Sequence, residues 1–518
     1  MNKLFLDKQP ITIDELVDVA RKSRPVAFSP QGESRVCRTR KLVDRWIKEK
    51  KVIYGITTGF GAMCDVIIPE TDARQLQINI LQSHAAGVGN PLPDEVVRGI
   101  MALRVHDLSL GYSGCSMDPI NYLLAFLNKG LCPIVPEKGS VGASGDLAPT
   151  AHLCLVLIGR GEANFNGSRM SGAEALAQIG LSPLQLNAGE GLALINGTQV
   201  MTAIAVLVVH DAIRLSQMAD VACAMSLEVL MGSQSEFDPC IHQVRPHPGQ
   251  IATAENMLRL TEDSEIIASH RGCSRIQDAY TLRCSPQIHG ASKDAVSHAR
   301  RVIDIEINAT TTNPLIFPDK QEFRMGGNFH GQPVAMAADY LSMGLAELGS
   351  VSERRIERLV NPQLSGLPAF LVKEGGLNSG FMIGQYVAAS LVSENKVLVH
   401  PACVDSIPTS ANKEDHVSMG TIAIRQSREI LANVEYIIAI ELMCAAQAYD
   451  LVTEKTPLKA GKGTRAAYKV IREHVPFFEK DRDLYKDIEA ITVLLRNGKI
   501  IRAVEEAAGE IKGWAARW

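Results

Sequence analysis

Met201–Met231 reads MTAIAVLVVHDAIRLSQMADVACAMSLEVLM, apolar at nearly every position. A helix that is apolar all round has no face to offer water, so it belongs in the middle of a bundle or at a subunit interface. It does not read as a membrane span. His210 and Asp211 end Met201–Val209, and Glu441 interrupts Tyr436–Cys444, each well short of a bilayer's width. Working outward, 46% of the chain is hydrophobic and only 5% aromatic, so its core must be built from Ala, Leu, Ile, Val and Met, which is helical material. At 518 residues the length suggests about three domains, or one large helical domain with a smaller one.

Other segments agree with a mostly α fold. Thr12-Ile13-Asp14-Glu15-Leu16 carries an N-cap followed by acids, a helix start. Lys41–Lys51 and Ala335–Val360 read as helices, as does the stretch leading to Leu398. From Thr453 the chain grows richer in Lys, Arg and Glu, an outer helical layer with Trp514 and Trp518 as apolar anchors.

A net charge of -4 argues against a nucleic-acid or anionic-membrane partner and for a small substrate. The eleven cysteines form no Cys-x-x-Cys pair, which suits free thiols in a reducing compartment and predicts a cytoplasmic protein. Met1–Pro10, with Lys3, Asp7 and Lys8, lacks the apolar core of a signal peptide. No metal is expected: there is no His-Glu-x-x-His, and His242 and His247 read as loop residues around Pro246 and Pro248.

Upstream lies a run of small residues, Gly139-Ser140-Val141-Gly142-Ala143-Ser144-Gly145-Asp146-Leu147-Ala148-Pro149. Alone it reads as a tight turn, or an anion-binding one. It is not a nucleophile elbow, since Gly145 follows Ser144 directly, and no Walker lysine follows. A forced turn offers another chemistry. With no Cβ, Gly145 can bring its nitrogen to the carbonyl carbon of Ala143, and Gly142 frees the other side. Ring closure and loss of two waters, one from the Ser144 side chain, would leave an exocyclic methylene, an electrophile that no ordinary side chain supplies.

Further stretches carry polar groups that each have a plain reading. Tyr54, in Val52-Ile53-Tyr54-Gly55-Ile56-Thr57-Thr58-Gly59-Phe60-Gly61, reads as a packing tyrosine beside a turn, and Ser83-His84 as a structural hydrogen-bonding pair. Asn196-Gly197 reads as a turn between helices. At helical spacing Gln277, Tyr280 and Arg283 put an amide, a phenol and a guanidinium along one side, which suits a zwitterionic amino acid or a solvated polar face. Phe329, in Gly326–Pro333, is a loop aromatic, and Lys413-Glu414-Asp415-His416 a charged helix start.

Taken in order, these blocks resemble those of the aromatic amino acid ammonia-lyases, from about Tyr54 to Met419. The resemblance implies that Ala143-Ser144-Gly145 becomes a 4-methylidene-imidazol-5-one prosthetic group autocatalytically, with no external cofactor. It implies a mostly helical fold: an N-terminal domain carrying the loop over residues 1–200, then a helical bundle over 201–518. That bundle would assemble as a homotetramer with each site drawn from three subunits.

Carried over by motif, Tyr54 is the base for the β-proton, which requires surroundings that lower its phenol's ordinary value near 10. Arg283 binds the substrate carboxylate with Gln277 beside it, and Tyr280 is a catalytic residue whose phenol can hold or exchange a proton with the amine. Asn196 and Phe329 lie against the prosthetic ring. Ser83, His84 and Glu414 face the substrate's ring, and Ser83-His84 is the choice of the histidine-specific members. The resemblance therefore implies L-histidine converted to urocanate. In-class rivals are tyrosine or phenylalanine lyases and a 2,3-aminomutase, and the rival outside the class is a non-catalytic helical assembly protein. Two positions depart from the family pattern: Asn313 stands where an acid usually precedes Pro314, and Lys413 where glutamine usually precedes Glu414. A cation at 413 would favour an ionised Glu414.

Overall fold

The computed structural model describes residues 2–8 and 10–515; Trp518 lies outside them. The protein is mostly helical, with four small sheets among the described residues. It divides into two compact units. The first comprises Met1–His210, Arg301–Asp339 and Pro401–Arg425, the second Asp211–Arg300, Tyr340–His400 and Gln426–Trp518. This differs from the single cut between residues 200 and 201 read off the sequence. Four of the boundaries fall inside long helices, Gln199–Val229, Ser285–Glu306, Gln332–Val360 and Gly420–Lys455, where no linker composition marks them.

In the first unit, Thr12 caps Ile13–Arg21 through a reciprocal capping box with Glu15. The helix expected at Lys41–Lys51 instead runs Pro30–Lys48, started by the Ser29 cap and by Pro30 at its first position. Three helices of this unit pack on one another: Ala73–His84, Leu147–Leu157 and Glu190–Ile195. Their contact is apolar, with Ile80, Leu81, Leu153, Leu157, Leu194 and Ile195 all buried. Chemistry-bearing residues stand at the ends of these helices. His84 closes the first, Asp146 precedes the second, and Asn196 ends the third. Sheet structure is minor, the largest piece among the described residues joining Cys132–Pro133, Glu162–Phe165 and Ser168–Ser171.

The second unit is helical and carries no strand of a sheet among its described residues. Its core runs along Gly420–Lys455, where Val434, Ile437, Ile438 and Ile440 are fully buried. Trp514 packs under the Arg300 guanidinium, 4.2 Å from it. His242 sits in the short helix Pro239–Gln243 rather than a loop, buried where its Nδ1 meets the Gln250 amide. Gln199–Val229 is apolar and long enough to cross a membrane by length and composition, but 83% of its most apolar window is buried inside the protein.

Candidate active site

Gly142 and Gly145 both adopt left-handed φ, +68° and +74°, so the loop turns sharply on either side of Ala143-Ser144. Backbone bonds then clamp it to the end of the third helix. The Asp146 N–H donates to the Gly197 carbonyl at 2.8 Å, and the Asn196 side-chain amide donates to the Ser144 carbonyl at 2.8 Å. A Cβ on Gly145 would lie 2.1 Å from the Gly197 carbonyl oxygen, so no other residue fits this approach. Asn196 itself rests on Arg104, fully buried, which donates to the Asn196 backbone carbonyl at 2.9 Å.

The other side of the loop is held by residues far away in sequence. The Met419 N–H donates to the Val141 carbonyl at 2.9 Å, and the Ser418 hydroxyl to the Gly142 carbonyl at 3.0 Å. Asp146 is fully buried and accepts from the Ser140 and Thr421 hydroxyls and from the Met201 N–H. Burial is the largest influence on its carboxyl and raises its pKa. Asp146 was visible inside the quoted motif. Thr421, 275 residues further on, carried no local signal.

Ser144 faces a cavity of about 660 Å³ that Tyr54, Ser83, His84, Asn196, Asn313, Phe329 and Glu414 also line. Its remaining wall is largely apolar, including Phe60, Met63, Ile80 and Leu192. A second cavity of about 570 Å³ shares Tyr54, Ser144, Phe329 and Glu414 and adds Asp65, His330, Lys413 and His416. The Glu414 carboxylate accepts from the Ser144 hydroxyl at 2.9 Å and from the Thr409 hydroxyl at 2.8 Å. Lys413, expected to act on Glu414, lines only the second cavity, and the charged helix start is a short turn at Ser410–Asn412 with no helix until Gly420. Asn313 accepts from the Gly326 N–H at 3.0 Å, a bond that an amide oxygen makes as well as a carboxylate does.

The Ser83 hydroxyl lies 3.0 Å from His84 Nδ1 and orients the imidazole. Burial lowers the His84 pKa, with the Glu414 charge pulling the other way. Tyr54 corrects the sequence expectation. Its phenol pKa is raised, not lowered, because burial outweighs the Gly61 N–H that donates to its oxygen at 3.1 Å.

The first unit thus gathers Tyr54, Ser83, His84, Ala143, Ser144, Gly145, Asn196, Phe329 and Glu414. Gln277, Tyr280 and Arg283 belong to the second unit. They do not share one helix face: the helix begins at Tyr280, and Arg275–Ala279 is irregular. Asp278 holds that segment open by accepting from the Ser233 N–H at 2.6 Å and from Arg275 at 3.3 Å. Gln277 instead lines a separate cavity of about 570 Å³ in the second unit. Tyr280 and Arg283 do pair, the guanidinium 4.9 Å over the phenol ring, and the buried Arg283 Nε has no partner.

The loop has the features a self-cyclised ring requires: two left-handed glycines, a cradle at Gly145 that a Cβ would fill, and a buried Asn196 Oδ1 without a hydrogen-bond partner. Comparison with known proteins agrees with this geometry. A family model described as aromatic amino acid lyase matches residues 11–473. Histidine ammonia-lyase from Alkaliphilus oremlandii is 55% identical over 507 residues, covering 98% of this chain and 99% of that protein. Among solved structures, histidine ammonia-lyase from Trypanosoma cruzi superimposes with a TM-score of 0.91 at 42% identity, covering 98% of this chain and 96% of that one. Tyrosine aminomutase from Streptomyces globisporus gives a TM-score of 0.93 at 36% identity, covering 99% of this chain and 100% of that one.

Proposed function

The chain belongs to the aromatic amino acid lyase family, and from that premise we propose that it eliminates ammonia from L-histidine to give urocanate. The observation that carries the choice of histidine is that His84 and Glu414 line one cavity with Ser144. An imidazole finds a hydrogen-bonding partner in each. A phenyl or phenol ring would leave at least one of them desolvated and unpaired, at about 1–3 kcal/mol apiece.

Ala143, Ser144 and Gly145 would form a methylidene-imidazolone, which would supply an electrophile for the substrate amine and so make it a better leaving group. Around it, Asn196 holds the Ser144 carbonyl and Phe329 covers the site. Arg283 takes the substrate carboxylate in a bidentate fork, the planar guanidinium matching the two carboxylate oxygens. Tyr280 holds or exchanges a proton with the substrate amine, and Gln277 contributes from its flanking segment. Tyr54 removes the β-proton, its phenolate supported by the Gly61 N–H. His84, neutral at physiological pH because burial lowers its pKa, orients the substrate imidazole with Ser83 behind it.

The working form is a cytoplasmic homotetramer whose sites draw on three subunits. Eleven free cysteines favour the reducing compartment. An exposed stripe of Ile383, Tyr386 and Val387 at helical spacing on Met382–Leu398 favours assembly.

Offering the purified protein L-histidine, L-tyrosine and L-phenylalanine separately, and following urocanate, coumarate and cinnamate by absorbance, tests this reading. Histidine should give the highest kcat/KM. A higher value for either rival would refute the assignment of His84 and Glu414, and β-amino acids among the products would make the enzyme a mutase.

A further inference from the structure

The second unit buries a chain of charges that no part of the reaction above uses. Asp220, His289, Lys293, Arg355 and Glu441 all have fully buried side chains. Lys293 donates to Asp220 at 2.7 Å, and Arg355 grips Glu441 with two bonds, its Nε at 2.5 Å and its Nη2 at 2.9 Å. His289 joins the two pairs. An arginine can only donate, so the 3.2 Å contact from Arg355 Nη1 makes His289 Nε2 the acceptor, and the proton sits on Nδ1, which donates to Asp220 at 2.7 Å. Two acids and two bases balance, with a neutral imidazole locked in one tautomer between them.

A buried ion pair is seldom worth more to stability than a well-packed apolar pair of the same volume, so stability alone does not account for this chain. Its geometry supplies another reason. The fork on Glu441 fixes the rotation of the Arg355 guanidinium, and its remaining edge serves two acceptors through Nη1. One is His289. The other is the backbone carbonyl of Thr281, at 3.3 Å. Thr281 belongs to the four-residue helix Tyr280–Arg283, too short to hold its orientation by its own ladder. His289 lies on the next helix, Ser285–Glu306, so one guanidinium ties both sides of the junction to Gly420–Lys455.

We propose that Arg355 is a positioning residue for substrate carboxylate recognition, acting through the Thr281 carbonyl to fix the segment that presents Arg283. This rests on the reading of Arg283 as the carboxylate-binding group. Arg355→Lys keeps the charge opposite Glu441, but a point ammonium cannot also span His289 and Thr281. The double variant Arg355→Met/Glu441→Leu removes both charges together and leaves no unpaired ion.

The test is competitive inhibition by imidazolepropionate, which carries the carboxylate, against histamine, which lacks it, together with melting curves and intact mass. In both variants the imidazolepropionate inhibition constant should rise about tenfold or more while that of histamine stays within about twofold. A structural role alone would weaken both inhibitors together. Equal weakening, no change in either, or failure of both variants to fold would each overturn the proposal. If the wild type binds imidazolepropionate no better than histamine, it is the assignment of Arg283 that fails.

Discussion

Gly145→Ala should stop the prosthetic ring from forming. The residue sits at φ +74°, where an L-residue costs about 1–2 kcal/mol. The new Cβ would lie 2.1 Å from the Gly197 oxygen and 2.3 Å from its carbonyl carbon, against backbone that cannot rotate away as a side chain can. Loop and Gly197 must therefore separate by about 1 Å before the contact is tolerable. That separation breaks the Asp146 to Gly197 bond and strains the Asn196 to Ser144 bond, worth about 1 kcal/mol each. The compact turn is then disfavoured by about 2–4 kcal/mol, a roughly 30- to 900-fold drop in its population. Intact mass spectrometry reads the result: the wild type should be two waters lighter than its encoded mass, and Gly145→Ala should run at full mass without activity. A Gly145→Ala protein that still lacks two waters would refute the reasoning. A wild type at full mass would refute the prosthetic group.

The remaining predictions address the substrate and the titrating groups. Arg283→Lys should raise KM and lower kcat together, because losing the planar fork also misplaces the β-proton; unchanged kinetics would put the carboxylate elsewhere. His84→Leu should cut the kcat/KM ratio of histidine over phenylalanine by about 5- to 150-fold, the equivalent of 1–3 kcal/mol. With Tyr54 as base and its phenol held above the ordinary value near 10, kcat/KM should climb through the alkaline range and still be rising at pH about 10, and Tyr54→Phe should abolish that rise. A limb that levels near neutrality would assign the base elsewhere. Burial lowers the pKa of His106 and His289, so between pH about 7.5 and 6 the unfolded chain takes up protons that the folded chain refuses, and the melting temperature should fall as pH falls. Asp107, raised to about 6, opposes this in the lower part of that window, but one half-titrated carboxyl does not outweigh two histidines. A flat profile over that window would contradict it.

The family resemblance, more than local pattern, singled out the site residues. The two glycines of Gly142-Ala143-Ser144-Gly145 take the left-handed conformations that their position in a small-residue run predicts. Ser83-His84 closes its helix next to the loop, and Asn196 reaches the Ser144 carbonyl. The shared helix face of Gln277, Tyr280 and Arg283 failed because spacing of three residues implies a common face only inside a helix, and the buried Asp278 holds the Gln277 segment irregular. The Tyr54 phenol failed in the same way, since a pKa is set by what surrounds the group in space.

The amino-acid order by itself determined the helical class, the all-round apolar helix at the centre of the chain, and the sharp turn at Gly142–Gly145, because periodicity and backbone permissiveness are properties of neighbours in sequence. Tertiary structure alone decided what meets what: Thr421 on Asp146, Glu414 on Ser144, and Arg355 under the helix that bears Arg283. Each of these contacts joins residues separated by more than seventy positions, and hydrogen bonding and burial act across space, so no local pattern encodes them.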